Sequence, residues 1–347
     1  MVIIMKKVFG KFTGITLLLL TAGALLTGCG IHYTFGGGTT VLDRNDAKEF
    51  KVDKETVDSI TSIVIHTGMA KVELIESDNY SVDINYLYWE EEPEYTLEDG
   101  KLYFDDSNAF PDSYSINFNL HNTIKIYLPK NAALQDLAIT NSSGDVSVAG
   151  FVADDMEATV SYGDFTMKNA AAANADITLS SGTSKISDFQ TGKLDFTNSY
   201  GDATFTNINT GDALLSSNVA YDRLKITMSS GDVKISGLNT ASVKINNSYG
   251  NITCSDITAE DFNADLSSGD LDVSNADLKS TDISNSYGDT TLSLVGPDTD
   301  YSLDLRTSYG NVKVGNKEYE ESAVIDNNGS RKVTADLSSG DVKVTFK

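Results

Sequence analysis

The chain has 347 residues, with 26 Lys and Arg against 50 Asp and Glu and a formal net charge of −24. A surface this acidic is repelled by phosphate backbones and by anionic lipid, which excludes nucleic acid as a partner and any membrane attachment through surface charge. Two cysteines make no disulfide framework, and three dispersed histidines, His32, His66 and His121, have no metal-ligand spacing.

Residues 1–28 have the layout of an export signal. Lys6, Lys7 and Lys11 precede an apolar run containing Leu17-Leu18-Leu19-Leu20, which is too short and glycine-rich for a comfortable span. The segment ends in Leu26-Thr27-Gly28-Cys29, which resembles the bacterial lipobox. That resemblance implies cleavage before Cys29, lipidation of Cys29, and an extracytoplasmic protein held at the cell membrane by its lipid. Cleavage removes three lysines and no acidic residue, leaving 23 basic against 50 acidic residues, a net −27.

Residues 29–45, with Gly36-Gly37-Gly38, are expected to be a flexible tether. Residues 46–135 alternate apolar and polar positions, as in Val82/Ile84/Tyr86/Tyr88 and Ile124/Ile126/Leu128, and predict a less regular β region. It is expected to begin the repeat array and cover its first open edge. Trp89-Glu90-Glu91-Glu92-Pro93-Glu94 interrupts it, as a solvated acidic loop with one anchoring aromatic.

Residues 136–347 carry a repeat. Gly144, Gly163, Gly182, Gly201, Gly231, Gly250, Gly269, Gly288, Gly310 and Gly340 each follow Ser-Ser or Ser-Tyr, and six of their nine spacings are 19 residues. The spacings of 30, 22 and 30 point to inserted stretches at Thr206–Thr227, Leu294–Thr299 and Lys317–Arg331. A fixed period near 20 signals stacked supersecondary units. Pairs such as Val146/Val148, Phe165/Met167, Val233/Ile235 and Leu271/Val273 give each unit the strand period of two. The expected fold is all-β: a parallel β-solenoid, or β-helix, of about 19 residues per turn. Cys254 falls on an inward position, as a core residue. The last strand, with Lys343 and Lys347, is expected to be the far edge, its lysines discouraging edge-to-edge growth.

Two files of side chains are candidates for function. The residue after the glycine is Asp145, Asp164, Asp202, Asp232, Asp270, Asp289 or Asp341 in seven units. Stacked about 4.8 Å apart, these carboxylates could bridge Ca²⁺, but one carboxylate per turn is thin coordination, and turn residues are the favoured reading; no cofactor is assigned. Tyr162, Tyr200, Tyr249, Tyr287 and Tyr309 precede the glycine in the other spelling. Parity puts them on the face of the residue two earlier, so they are expected to point inward and fill the space left where Asn198, Asn247 and Asn285 replace Leu. An exposed stripe that stacks on sugars is the alternative.

Ser142-Ser143-Gly144-Asp145-Val146, the recurring Ser-Tyr-Gly-Asp, and Ile126-Tyr127-Leu128-Pro129 are similar to the bacterial putative-adhesin β-strand-repeat family, over roughly residues 62–347. The resemblance implies a right-handed parallel β-solenoid at the cell envelope. It leaves three functions open. The first is a non-enzymatic adhesion, binding or structural surface protein that contacts an envelope protein or glycan. The second is an accessory of an envelope-stress response acting through a membrane partner. The third, a carbohydrate-active β-helix enzyme, would need a cleft gathering two carboxylates with a Lys or Arg. No nucleophile elbow or phosphate loop is present.

Overall fold

A computed structural model describes residues 39–210 and 223–347. Its strands form a parallel stack in which partners lie 19 residues apart: Val146 pairs with Phe165, Phe165 with Ser184, and Ser184 with Ala203. The same offset links Val233, Ile252, Leu271 and Thr290. Between Ala203 and Val233 the step is 30 residues. The extra residues leave at a corner, because Gln190 faces Asn209 while Lys193 faces Arg223. The ladder is therefore undisturbed on both sides of the insertion.

Alternation along each strand builds the core. Val148, Met167, Ile186, Phe205, Ile235, Cys254, Val273, Leu292, Val344 and Val314 form one inward file. All but Val314 are almost fully buried, and each apolar member contributes roughly 1.5–3 kcal/mol. Burial also pushes the Cys254 thiol up, which keeps it protonated and unreactive. A second bend falls six residues after Gly163, Gly182, Gly201, Gly250 and Gly269, where Asn169, Asp188, Asn207, Asp256 and Asn275 have φ of 50–56°. Asn and Asp tolerate this left-handed conformation better than other residues with a Cβ, which is why they precede the lone apolar residue of each turn.

Neither end of the stack follows chain order. Strands Ser62–Thr67 and Lys71–Ser77 lie under Ala132–Ser143 and Val146–Ala149, while the later strands Lys101–Asp105 and Thr123–Pro129 lie outside them. At the other end Arg331–Ser339 and Val342–Phe346 pair directly with Leu271–Tyr287 and Thr290–Leu294. The earlier strands Tyr301–Thr307 and Val312–Val314 lie beyond them. The last strand is thus an inner one, and Lys343 and Lys347 guard no edge.

Antiparallel strands close both ends instead. Ser81–Tyr88 pairs with Thr123–Pro129, Lys48–Thr56 pairs with Ser81–Tyr88, and Glu94–Glu98 pairs with Lys101–Asp105. At the far end Lys317–Tyr319 and Ser322–Asp326 do the same. The expected insertion at Lys317–Arg331 is this cap. Lys48–Thr56 reads KEFKVDKET and carries a register shift between Val52 and Glu55, two devices that make an edge a poor template for another chain.

Residues 40–45 are not tether. Thr40–Leu42 pairs in parallel with Tyr114–Ile116, and Asp43 caps a short 3-10 turn at Arg44–Asp46. Trp89 fixes this segment by donating its Nε1–H to the Asp43 carbonyl at 2.9 Å, with its ring against Phe110 and Phe118. It is the anchoring aromatic of the acidic loop. Residues 1–28, Cys29 and the start of the tether lie outside the described residues.

Candidate functional site: the glycine corner

The repeat glycines line up in one file, and contact distance explains why nothing else fits. At every repeat glycine from Gly144 to Gly340 an added Cβ would stand 2.0–2.3 Å from the carbonyl oxygen of the corner residue one turn below. Most also have φ between +121° and +154°, where a side chain is strained.

Such close stacking turns the glycine carbonyls aside, and buried Asn side chains take them up. Asn247 donates its amide hydrogens to Gly231 O at 3.1 Å and Gly250 O at 3.0 Å. Asn198 bridges Gly182 and Gly201 in the same way, Asn285 bridges Gly269 and Gly288, and Asn141 bridges Ala70 and Gly144. At the last corner the Thr307 hydroxyl reaches Gly340 O at 2.8 Å. An amide has two hydrogens, so one Asn serves two turns. The intervening turns are free to place Met228, Leu266 or Leu337 at this level. The expectation that tyrosine fills the space beside Asn is therefore corrected: that space is occupied by an amide bonded to two backbones.

The tyrosines point out. Tyr162, Tyr200, Tyr249, Tyr287 and Tyr309 are 62–79% exposed. Parity fails at the strand end: Tyr162, Tyr200, Tyr249 and Tyr287 are the last residues of their strands, next to the bend at the glycine. In space the position reads Ser143, Tyr162, Ser181, Tyr200, Ser230, Tyr249, Ser268, Tyr287, Ser339, Tyr309. In the chain, Tyr287 and Tyr309 belong to successive repeats and the alternation breaks. The inserted strand Arg331–Ser339 puts Ser339 between them and restores it: Gly288 N–H donates to Ser339 O and Gly340 N–H to Tyr309 O. That break was the one signal in the sequence that could have revealed both the outward tyrosines and the exchanged order.

Beside this file runs the Asp column. Its carboxylates are exposed, and each is tied to the next turn. Asp145 Oδ1 accepts the N–H of Asp164 at 3.0 Å, Asp232 Oδ1 that of Asn251 at 2.8 Å, and Asp289 Oδ1 that of Asp341 at 2.8 Å. Asp164, Asp202, Asp270 and Asp341 accept from Thr183, Asp232, Asp289 and Asn311. One oxygen of each carboxylate completes the backbone and the other faces solvent. Among the described residues no group of three or more His, Cys, Asp or Glu side chains is placed to hold a metal ion.

Two other places gather chemistry. A groove of about 490 Å³ holds Glu260, Asp277, Lys279 and Arg331 among Thr and Asn side chains. This is a groove with two carboxylates beside a Lys and an Arg, and each carboxylate is ion-paired in it, Glu260 with Lys279 and Asp277 with Arg331 at 2.7 Å. Near the start of the stack the buried Asp106 accepts from Tyr86, from the Thr67 hydroxyl at 2.6 Å and from Gly68 N–H at 2.8 Å. Burial holds its carboxyl above the usual range against these bonds, which pull the other way. This network joins three segments of the irregular region and is a structural tie.

The sequence matches the Toastrack family (DUF4097) over residues 60–217 and 208–345. No curated protein is similar to it. Among solved structures, a putative adhesin of Parabacteroides distasonis is 11% identical with a TM-score of 0.41, covering 74% of this chain and 97% of its own. A putative adhesin of Bacteroides fragilis is 13% identical with a TM-score of 0.36, covering 86% and 97%. A putative cell adhesion protein of Clostridium sporogenes is 13% identical with a TM-score of 0.22, covering 87% and 100%. With both matched stretches together spanning nearly the whole β stack, the chain belongs to the Toastrack family.

Proposed function

We propose that this protein is a lipid-anchored, extracytoplasmic, non-enzymatic binding protein of the cell envelope, which presents its glycine-corner file as a rigid contact surface. The observation that carries the reading is the outward tyrosine at every second turn. A large aromatic exposed to water serves no packing purpose, and Ser occupies the same position in the turns between. Among the described residues the other large exposed hydrophobics are Val41 and Val324, which stand singly, whereas the tyrosines form a file. Attachment is assigned to a lipid on Cys29, within the lipobox-like Leu26–Cys29. No helix among the described residues is long and apolar enough to cross a membrane.

In the full-length chain, Cys29→Ala is expected to move the protein from the membrane fraction to the soluble one and to abolish labelling by a fatty-acid analogue. Replacing the five exposed tyrosines by Ser should abolish binding to envelope fragments while leaving the melting temperature in place. Undiminished binding by that variant would overturn the reading.

A further inference from the structure

We infer that the ligand of the corner file is a neutral, extended polysaccharide with a two-residue repeat, laid along the stack with one sugar face on each tyrosine. This rests on the reading of the file as a contact surface and names what it contacts.

The first argument is spacing. Tyrosines on alternate turns stand two strand separations apart, about 9–10 Å, the length scale of a disaccharide in an extended chain. A β-1,4-linked glycan turns over at each residue, so it offers an equivalent face at every second sugar. Each Tyr would meet such a face, and the Ser between would meet the intervening residue through a hydroxyl.

The second argument is that packing does not dictate where the tyrosines fall. If Tyr were tied to the bridging Asn, the two would always share a turn. They do not: Asn141 lies in the Ser143 turn, and in the Tyr162 turn the same level is held by Val160. Tyrosine nevertheless holds its alternate place there, and it holds it at the far end, where chain order is inverted. The periodicity belongs to the outer surface.

The third argument is chemistry. Beside the rings lie serine hydroxyls and a file of carboxylates, each with one oxygen engaged by backbone and one open to solvent. Aromatic faces take the C–H face of a sugar, and carboxylates accept its hydroxyls. The same carboxylates, on a chain of net charge −24, repel an anionic polymer. A polycation is the competing occupant, since acidic residues would attract it whatever its spacing.

The test uses the full chain in detergent micelles, titrated with β-1,4-linked gluco-oligosaccharides of increasing length, with α-1,4-linked malto-oligosaccharides and with polylysine. Affinity for the β-linked series should rise in steps, about two- to tenfold for each further ring engaged. It should hardly change with salt. Tyr249→Ser, at the centre of the file, should cost more affinity for long oligomers than Tyr309→Ser at its end, and both variants should keep the parent's unfolding midpoint. Equal affinity for α- and β-linked chains, or no growth with length, would overturn the inference. So would binding confined to polylysine and abolished by salt. If neutral glycans fail but the five-tyrosine variant still loses envelope binding, the glycan is wrong and the contact surface stands; if that variant loses nothing, both fall.

Discussion

Replacing Asn247 by Ala tests the amide bridge that sets the alternation of the core. Asn247 is 2% exposed, and an account based on apolar burial alone expects the change to be neutral or stabilising, because it removes a buried polar group. The bridge predicts the opposite. Two hydrogen bonds to Gly231 and Gly250 are lost, each worth about 0.5–1.5 kcal/mol, and two carbonyls are left in a crowded corner. The Asn247 Oδ1 has no partner of its own, so its removal returns part of the loss. The net cost is about 2 kcal/mol. The cost falls on one turn, so the assay is amide hydrogen exchange along Val233–Tyr249, where it appears as exchange roughly 30-fold faster. Asn247→Asp should be worse. In acid the protonated carboxyl donates one hydrogen where the amide donates two, so part of the penalty is already present; the carboxylate would face two carbonyls with a raised folded pKa, so the penalty grows as pH rises above about 4. Exchange in Asn247→Ala equal to the parent's would refute the bridge.

Gly250→Ala would drive a Cβ to 2.2 Å from Gly231 O at φ +127° and should cost more than Asn247→Ala, read as a lower urea midpoint; an unchanged midpoint would contradict the corner packing. The buried Asp106 has a raised folded pKa, so the stability tied to its protonated form is present in acid and lost as pH rises through that pKa. The urea midpoint of the parent should therefore fall relative to that of Asp106→Asn as pH increases from about 4, and parallel curves would dispose of the assignment. Deleting residues 331–347 withdraws an inner turn rather than trimming an end. Limited proteolysis should then cut within residues 290–330, and full resistance there would contradict the strand order.

The circuit was legible in the sequence because it is written in local chemistry. Nineteen-residue spacing, alternation, and Asn or Asp at the second bend each follow from what one turn requires. The Asp file was legible as a column, but the bond that each carboxylate accepts from the N–H of the next turn was not, because it joins residues a full circuit apart. The direction of Tyr162 and its equivalents was hidden because parity counts only within a strand, and these residues sit where the strand gives way to the bend. The exchanged ends were hidden for a different reason. Spacings of 22 and 30 are compatible with simple insertions, and which strand lies on which is decided by contacts between Leu271–Tyr287 and Arg331–Ser339, more than forty residues apart. Asn198, Asn247 and Asn285 looked like gaps because an amide that bonds two backbones has no signature in sequence beyond being polar where Leu is expected.

Methyl-resolved nuclear Overhauser spectroscopy tests the stacking order most directly. Ile283 pairs with Ala335, and Ala335 in turn with Leu305. A strong cross-peak is predicted between Ile283 and Ala335, and another between Ala335 and Leu305. A direct Ile283–Leu305 contact without Ala335 between them would mean that the turns stack in chain order, that Tyr287 and Tyr309 are neighbours, and that the alternation fails at the far end.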